Sequence, residues 1–332
     1  MTSAGVKRIL ICTHPLSYGG SQLSIHHWAK HLNRDKYEVV ILASERGGLS
    51  EKFESHYEVH YDADEYPRVD EYIDTLSPDL VHACPGGGVD HPYIQAAARR
   101  VPVTQTVMCP RLPGNLEVTA KVAVPSEYVL SMQPDISKII HIDHPFDMSE
   151  YSADFDRAHF GLPRGKLLVL SLGNSRPQND HFVKIARRYR NPDVHFVIRT
   201  SRRLSLLARR SNITVIPRFL SENEKISLFH LADIFLYPTF HEAYGIVFLE
   251  AMSQSTPIIS YAESAMPEVI AKGGVLAPLN DIRRMTEWLD LLVRSPQQRE
   301  RLGNNGYELC ATRNDPVRIA KKYEDFFDEV LR

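Results

Sequence analysis

The sequence predicts an α/β protein of two doubly wound parallel-sheet domains. Three observations lead there. At 332 residues the chain is long for one domain and comfortable for two. Short apolar runs alternate with amphipathic stretches along its length, the βαβ rhythm of parallel sheets. That rhythm breaks once, near residues 148–165, and then starts again.

The first series opens with a buried strand over 8–12, a glycine turn at Gly19 and Gly20, and a helix over 21–32. Strand-like runs follow at 37–42, 80–83, 103–107 and 121–124, and 139–142 closes the series. The second series has its strands at 167–172, 194–198, 213–216, 234–237 and 257–260. The expected domains are therefore 1–150 and 151–312. Residues 313–332 form a terminal helix whose partner the pattern leaves open, the first domain among the options. Domains of this kind hold ligands in the crevice at the carboxyl ends of their strands, so the chemistry is expected in the loops that follow strands.

Composition narrows the class. Hydrophobic residues make up 43% and charged residues 24%, which is globular. The net charge of −2 gives no overall basic field and no pointer to nucleic acid. The charge is uneven: residues 1–150 hold 13 Lys and Arg against 20 Asp and Glu, the remainder 26 against 21. A basic second half suits an anionic ligand, although a solvated basic face reads the same way. Four scattered cysteines, Cys12, Cys84, Cys109 and Cys310, suit a reducing compartment. No apolar run reaches the roughly 20 residues of a membrane helix, so a soluble cytoplasmic protein is expected. His27 and His31 stand i, i+4 with no third ligand evident, and no metal site is expected.

One loop carries the chemistry. After the strand 234–237, Pro238 ends the extended run and Gly245 opens an apolar helix reaching about Ser253. A glycine there lets a ligand approach the free amides of Gly245, Ile246 and Val247, which with the helix dipole form a phosphate site. Glu242 lies in the loop and Glu250 eight residues on, inside the helix, so that two carboxylates can accept hydrogen bonds from two sets of sugar hydroxyls. An ordinary helix entry with two solvated glutamates fits the same spacing.

The block ADIFLYPTFHEAYGIVFLEAMSQSTPII resembles the E-x7-E segment of the retaining GT4-like glycosyltransferases. Weaker matches keep the family's order: Gly19-Gly20 after the first strand, Pro78-Asp-Leu-Val-His82, the turn 142–147, Leu172-Gly173, and Gly274-Val-Leu-Ala-Pro278. The resemblance implies a GT-B fold, two Rossmann-like domains facing a central cleft. It also implies a metal-independent enzyme without a cofactor, moving a hexose-like sugar from a UDP- or GDP-sugar to a hydroxyl acceptor. It places Glu250 on the ribose, Glu242 with Ala243 and Tyr244 near the transferred sugar, and the amides of Gly245, Ile246 and Val247 on the diphosphate. Gly19 and Gly20 let the first domain approach that diphosphate, and the loop 216–220, with Arg218 and Phe219, lies where the family reads the base. The compact length suggests a small or soluble acceptor.

The sequence departs from that pattern at two places. The family's arginine after Gly173 is Asn174 here, and its lysine falls near Asn179. Arg176 and Arg199 are the cations expected to substitute. In the first domain Met108 stands where a histidine often lies near the sugar, and Met108, His14 and His82 are weak acceptor-side candidates. The run Gly86-Gly87-Gly88 suits an acceptor loop or a plain turn. These departures keep open a catalytically impaired GT-B module that binds a nucleotide sugar or a partner protein. An epimerase of the same fold ranks below both.

Overall fold

The structure, a computed structural model, describes residues 5–85, 89–133, 135–173, 176–200 and 210–332, with 176–178 described by backbone alone. The chain divides into two compact units, Met1–Pro145 with Asn314–Arg332, and Phe146–Arg313.

In the first unit seven strands run parallel: β1 (Lys7–Thr13), β2 (Tyr37–Ala43), β3 (Glu58–Tyr61), β4 (Leu80–Ala83), β5 (Val103–Thr106), β6 (Lys121–Val124) and β7 (Ile139–His141). Their order is β3-β2-β1-β4-β5-β6-β7, so the winding reverses between β1 and β4. The helices between them are α1 (Gly20–Ala29), α2 (Ser50–Glu54), α3 (Val69–Leu76), α4 (Pro92–Ala98) and α5 (Glu127–Ser131). Central strands covered on both faces must be apolar throughout, which is why Ile9, Leu10, Ile11 and Cys12 are all fully buried. One face packs Leu10, Leu42 and Val81 against α3 and α4, through Ile73, Ile94 and Ala97.

The second unit repeats the scheme with six parallel strands. These are β8 (Leu167–Leu172), β9 (Val194–Arg199), β10 (Ile213–Ile216), β11 (Ile234–Tyr237), β12 (Ile258–Tyr261) and β13 (Gly274–Ala277), ordered β10-β9-β8-β11-β12-β13. The reversal falls between β8 and β11, paired through Ile234 with Val169 and Phe235 with Leu170. Helices α6 (Arg176–Arg188), α7 (Glu222–Leu231), α8 (Ile246–Ser253), α9 (Met266–Ile270), α10 (Ile282–Arg294) and α11 (Pro296–Arg313) complete it. Two doubly wound parallel sheets are the predicted fold class. The strands β3 and β13 were not among the sequence expectations.

Helix α11 approaches its neighbours through glycines: a Cβ on Gly303 would lie 2.0 Å from the Ser255 carbonyl oxygen, and one on Gly306 3.1 Å from Met252 Cγ at the end of α8. The last helix, α12 (Pro316–Leu331), belongs to the first unit. Its Tyr323 stacks on Trp28 of α1 at 4.1 Å and 15°, and Phe326 and Phe327 join the same core. Among the described residues no helix is long and apolar enough to cross a membrane.

Candidate functional site

In the second unit the winding reversal brings the loops after β8 and β11 together, the place where open parallel sheets bind ligands. The loop after β11 contains most of the predicted residues. Thr239 is fully buried, and its Oγ1 donates to Glu242 Oε1 at 3.3 Å. Glu242 is half-buried, and its carbonyl accepts from the amide of Ala265 at 3.3 Å. Burial pushes its carboxyl up to about 7, against hydrogen bonds from Thr239 and Tyr237 that pull it down. Ala243 and Tyr244 are buried, with the Arg313 guanidinium 6.0 Å from the Tyr244 ring centroid.

Gly245 caps α8 at φ 85°, in the left-handed region that glycine adopts without penalty. A Cβ there would also lie 2.7 Å from the Phe248 ring. Ile246 and Val247, half-buried, open the helix, so their amides have no intrahelical acceptor. Glu250 is buried, and Lys225 of α7 donates to its Oε1 at 2.9 Å.

A protonated carboxyl that ionises late has a consequence for stability. Between about 4.5 and 7 the folded chain holds a proton on Glu242 that the unfolded chain has released, so stability falls as pH rises through that window. Glu242→Gln removes the slope. In urea titrations at pH 5 and pH 8 its gain over the parent should grow with pH, by on the order of 1–3 kcal/mol. A pH-independent difference would show that the buried carboxyl is not the cause.

The loop after β10 carries Arg218 and Phe219. Arg218 spends its guanidinium on Glu224, at 3.0 and 2.5 Å, while Ser221 and Glu224 close a capping box on α7. Arg218, with His159, holds the Glu224 carboxyl down at about 2 against burial. Arg218 therefore anchors the loop, and the loop presents Phe219, 77% exposed, with the Arg199 guanidinium 4.8 Å from its ring centroid. Arg199 Nε also donates to the Arg218 carbonyl at 3.2 Å.

After β8, Gly173 is buried and its carbonyl accepts from Asn179 Nδ2 at 3.3 Å. The same amide nitrogen reaches Thr200 Oγ1 at 3.2 Å, and Asn179 Oδ1 is buried with no partner among the described residues. Asn174 lies outside the described residues, as does the run Gly86-Gly87-Gly88, and Arg176 is described only as the first residue of α6.

The first unit, taken by itself, corrects the acceptor-side expectation for His82. His82 is fully buried, its ring nitrogens 2.9 Å from Thr104 Oγ1 and 3.0 Å from Thr106 Oγ1, and Trp28, Tyr323 and Phe327 surround it. Burial lowers it to about 3, so it is a neutral core histidine. Met108 packs half-buried against the core shared by α1 and α12. His14 does follow β1 at the reversal point, half-buried, and burial lowers its pKa. Gly19 caps α1, which begins at Gly20. Among the described residues no group of three or more His, Cys, Asp or Glu could hold a metal ion.

Two residues of the second unit had no place in the motif reading. Thr239 stood inside the quoted block without a role. Lys225 showed only as a charge just before the mostly apolar stretch 226–231, a signal that a solvated lysine gives equally well.

Residues 152–309 match the family described as glycosyl transferases group 1. Among curated relatives, the D-inositol 3-phosphate glycosyltransferase of Mycolicibacterium smegmatis is 24% identical over 234 residues, 66% of this chain and 52% of its own. The MMP alpha-(1->4)-mannosyltransferase of Mycolicibacterium hassiacum is 34% identical over 90 residues, 26% of this chain and 22% of its own. The chain thus spans from about a fifth to about half of the length of these relatives. Among solved structures, Anabaena HepE in complex with UDP and glucose superposes with a TM-score of 0.79 at 14% identity, covering 97% of this chain and 100% of that one. A glycosyltransferase from Rickettsia africae gives 0.81 at 14%, covering 98% and 99%. At such identity the superpositions establish the fold.

Proposed function

We propose that the chain is a retaining, metal-independent glycosyltransferase of the group 1 family, whose match spans residues 152–309, and that it uses a UDP- or GDP-sugar. The observation that carries this reading is the run from Thr239 to Glu250. A half-buried Glu242, a left-handed glycine, a helix N-terminus and a buried Glu250 follow one another within a dozen residues. The amides of Ile246 and Val247, with the positive end of α8, face the negative charge of a diphosphate. Arg176 at the start of α6 supplies the cation that Asn174 and Asn179 do not. Phe219 offers an exposed ring on which a nucleobase stacks, and Glu250 accepts from the ribose hydroxyls.

In the reaction the bond between the anomeric carbon and the diphosphate oxygen breaks, and its electron pair leaves with the diphosphate. The acceptor hydroxyl attacks from the same face, and its proton passes to the departing phosphate oxygen. Glu242, which ionises near neutrality, both donates to and accepts from the sugar hydroxyls as charge develops at the ring. The fixed donors of α8 act on charge that grows in the transition state, where preorganised electrostatics contribute most.

The test combines thermal stabilisation by UDP and GDP with mass spectrometry of transfer from a panel of UDP- and GDP-sugars to hydroxyl acceptors. One nucleotide should raise the melting temperature, and one donor should give a glycosylated product. A rise without turnover across the panel would favour the non-catalytic module, and no rise with either nucleotide would end the reading. Interconversion of free donors without an acceptor would indicate an epimerase.

A further inference from the structure

Helix α7 places one ammonium between two carboxylates. Lys225 Nζ lies 2.9 Å from Glu250 Oε1 and 2.9 Å from Glu222 Oε2. The side chains are 25%, 8% and 12% exposed, so all three charges are largely withdrawn from water. Burial lowers the pKa of the lysine, but Glu250 and Glu222 more than reverse that and keep it an ammonium. Two carboxylates and one ammonium leave the group net negative.

Stability is a poor explanation for such a group. Withdrawing three charges costs about as much as their attraction returns, and apolar packing between two helices serves as well or better. What the group does supply is a fixed carboxylate. Lys225 occupies Oε1 of Glu250, and Oε2 accepts no hydrogen bond among the described residues. Neutral hydroxyl donors suit the remaining oxygen of a net negative group, whereas a phosphate does not.

We infer that Lys225 is a positioning residue: it pins Glu250 so that its second oxygen is presented to the vicinal hydroxyls of a nucleotide ribose. This deepens the proposed function and rests on it. The lysine does not itself meet the ligand. It sets how sharply the site separates a ribonucleotide from one lacking both hydroxyls.

The experiment is calorimetric titration of the full chain with UDP or GDP, whichever raises the melting temperature more, and with its 2′,3′-dideoxy analogue. The parent should prefer the ribonucleotide by about tenfold or more, the scale of a hydrogen bond to a charged group. Lys225→Met should reduce that preference below about threefold, and Lys225→Arg should restore most of it. Should Lys225→Met not fold, Lys225→Gln has the same expected outcome. A Lys225→Met chain that melts lower but keeps the parent's preference overturns the inference and makes the pair purely structural. A parent that binds nucleotide without preferring ribose also overturns it, while the nucleotide reading stands. If neither UDP nor GDP binds the parent, both fall.

Discussion

Replacing Glu242 with alanine should lower kcat by about 10²–10³-fold while changing the affinity for a nucleoside diphosphate by less than about threefold. The asymmetry follows from position. Glu242 lies three residues before the capping glycine and is held by Thr239, outside the helix whose amides are assigned to the diphosphate. An interaction with the transferred sugar that strengthens as the glycosidic bond breaks appears in turnover, and a bare nucleotide does not make it. Glu250→Ala should behave in the opposite sense, weakening nucleotide binding first. Steady-state kinetics paired with UDP or GDP titration separates the two. Glu242→Ala turning over like the parent would remove this carboxyl from the reaction.

The second large effect is on folding. Glycine inside a helix ordinarily costs about 1 kcal/mol relative to alanine, so Gly303→Ala in α11 should stabilise the chain if propensity decided the matter. It does not decide here. The new Cβ would meet the Ser255 carbonyl oxygen at 2.0 Å, and that neighbour is backbone, which cannot swing aside. We expect Gly303→Ala to destabilise by at least about 3 kcal/mol, at or above the top of the usual range for overpacking. Gly161 is the control: its φ is 64° but among the described residues nothing lies within 4 Å of a Cβ, so Gly161→Ala costs only the local strain, about 1 kcal/mol. Urea unfolding of the two variants measures the difference. Equal losses would mean that α11 slides away from Ser255 freely.

The sequence showed the fold well because the buried parallel strands are apolar throughout. Runs such as 167–172 and 234–237 coincide with strands β8 and β11, since nothing else fills the middle of a covered sheet. It failed at the edges. Strand β3, Glu-Val-His-Tyr, lies at one end of its sheet with no residue fully buried, so its composition is that of a loop. Strand β13 begins on Gly274, which lies close against the Ile258 carbonyl and leaves too short an apolar run to stand out.

At the candidate site, spacing pointed to Glu242, Gly245 and Glu250 because they share one loop and one helix. Partners brought by tertiary packing left no local trace. Lys225 is 25 positions from Glu250, and Glu224, which takes the Arg218 guanidinium, looks like any other acidic residue near a helix start. His82 misled for the same reason: a histidine at a strand end is ambiguous until two threonines of the next strand close over both ring nitrogens.

Helix α12 bears on how the chain comes off the ribosome. The second unit is one uninterrupted stretch, Phe146–Arg313, and is complete once those residues have emerged. The first unit is not complete until its last nineteen residues follow, because the partner that stacks on Trp28 is Tyr323. Until then Trp28 of α1 has no cover from Tyr323 or Phe327, and the core around it lacks Ile319 and Phe326. The half translated second therefore matures first, and the half translated first is the one a nascent chain must keep from sticking to its neighbours.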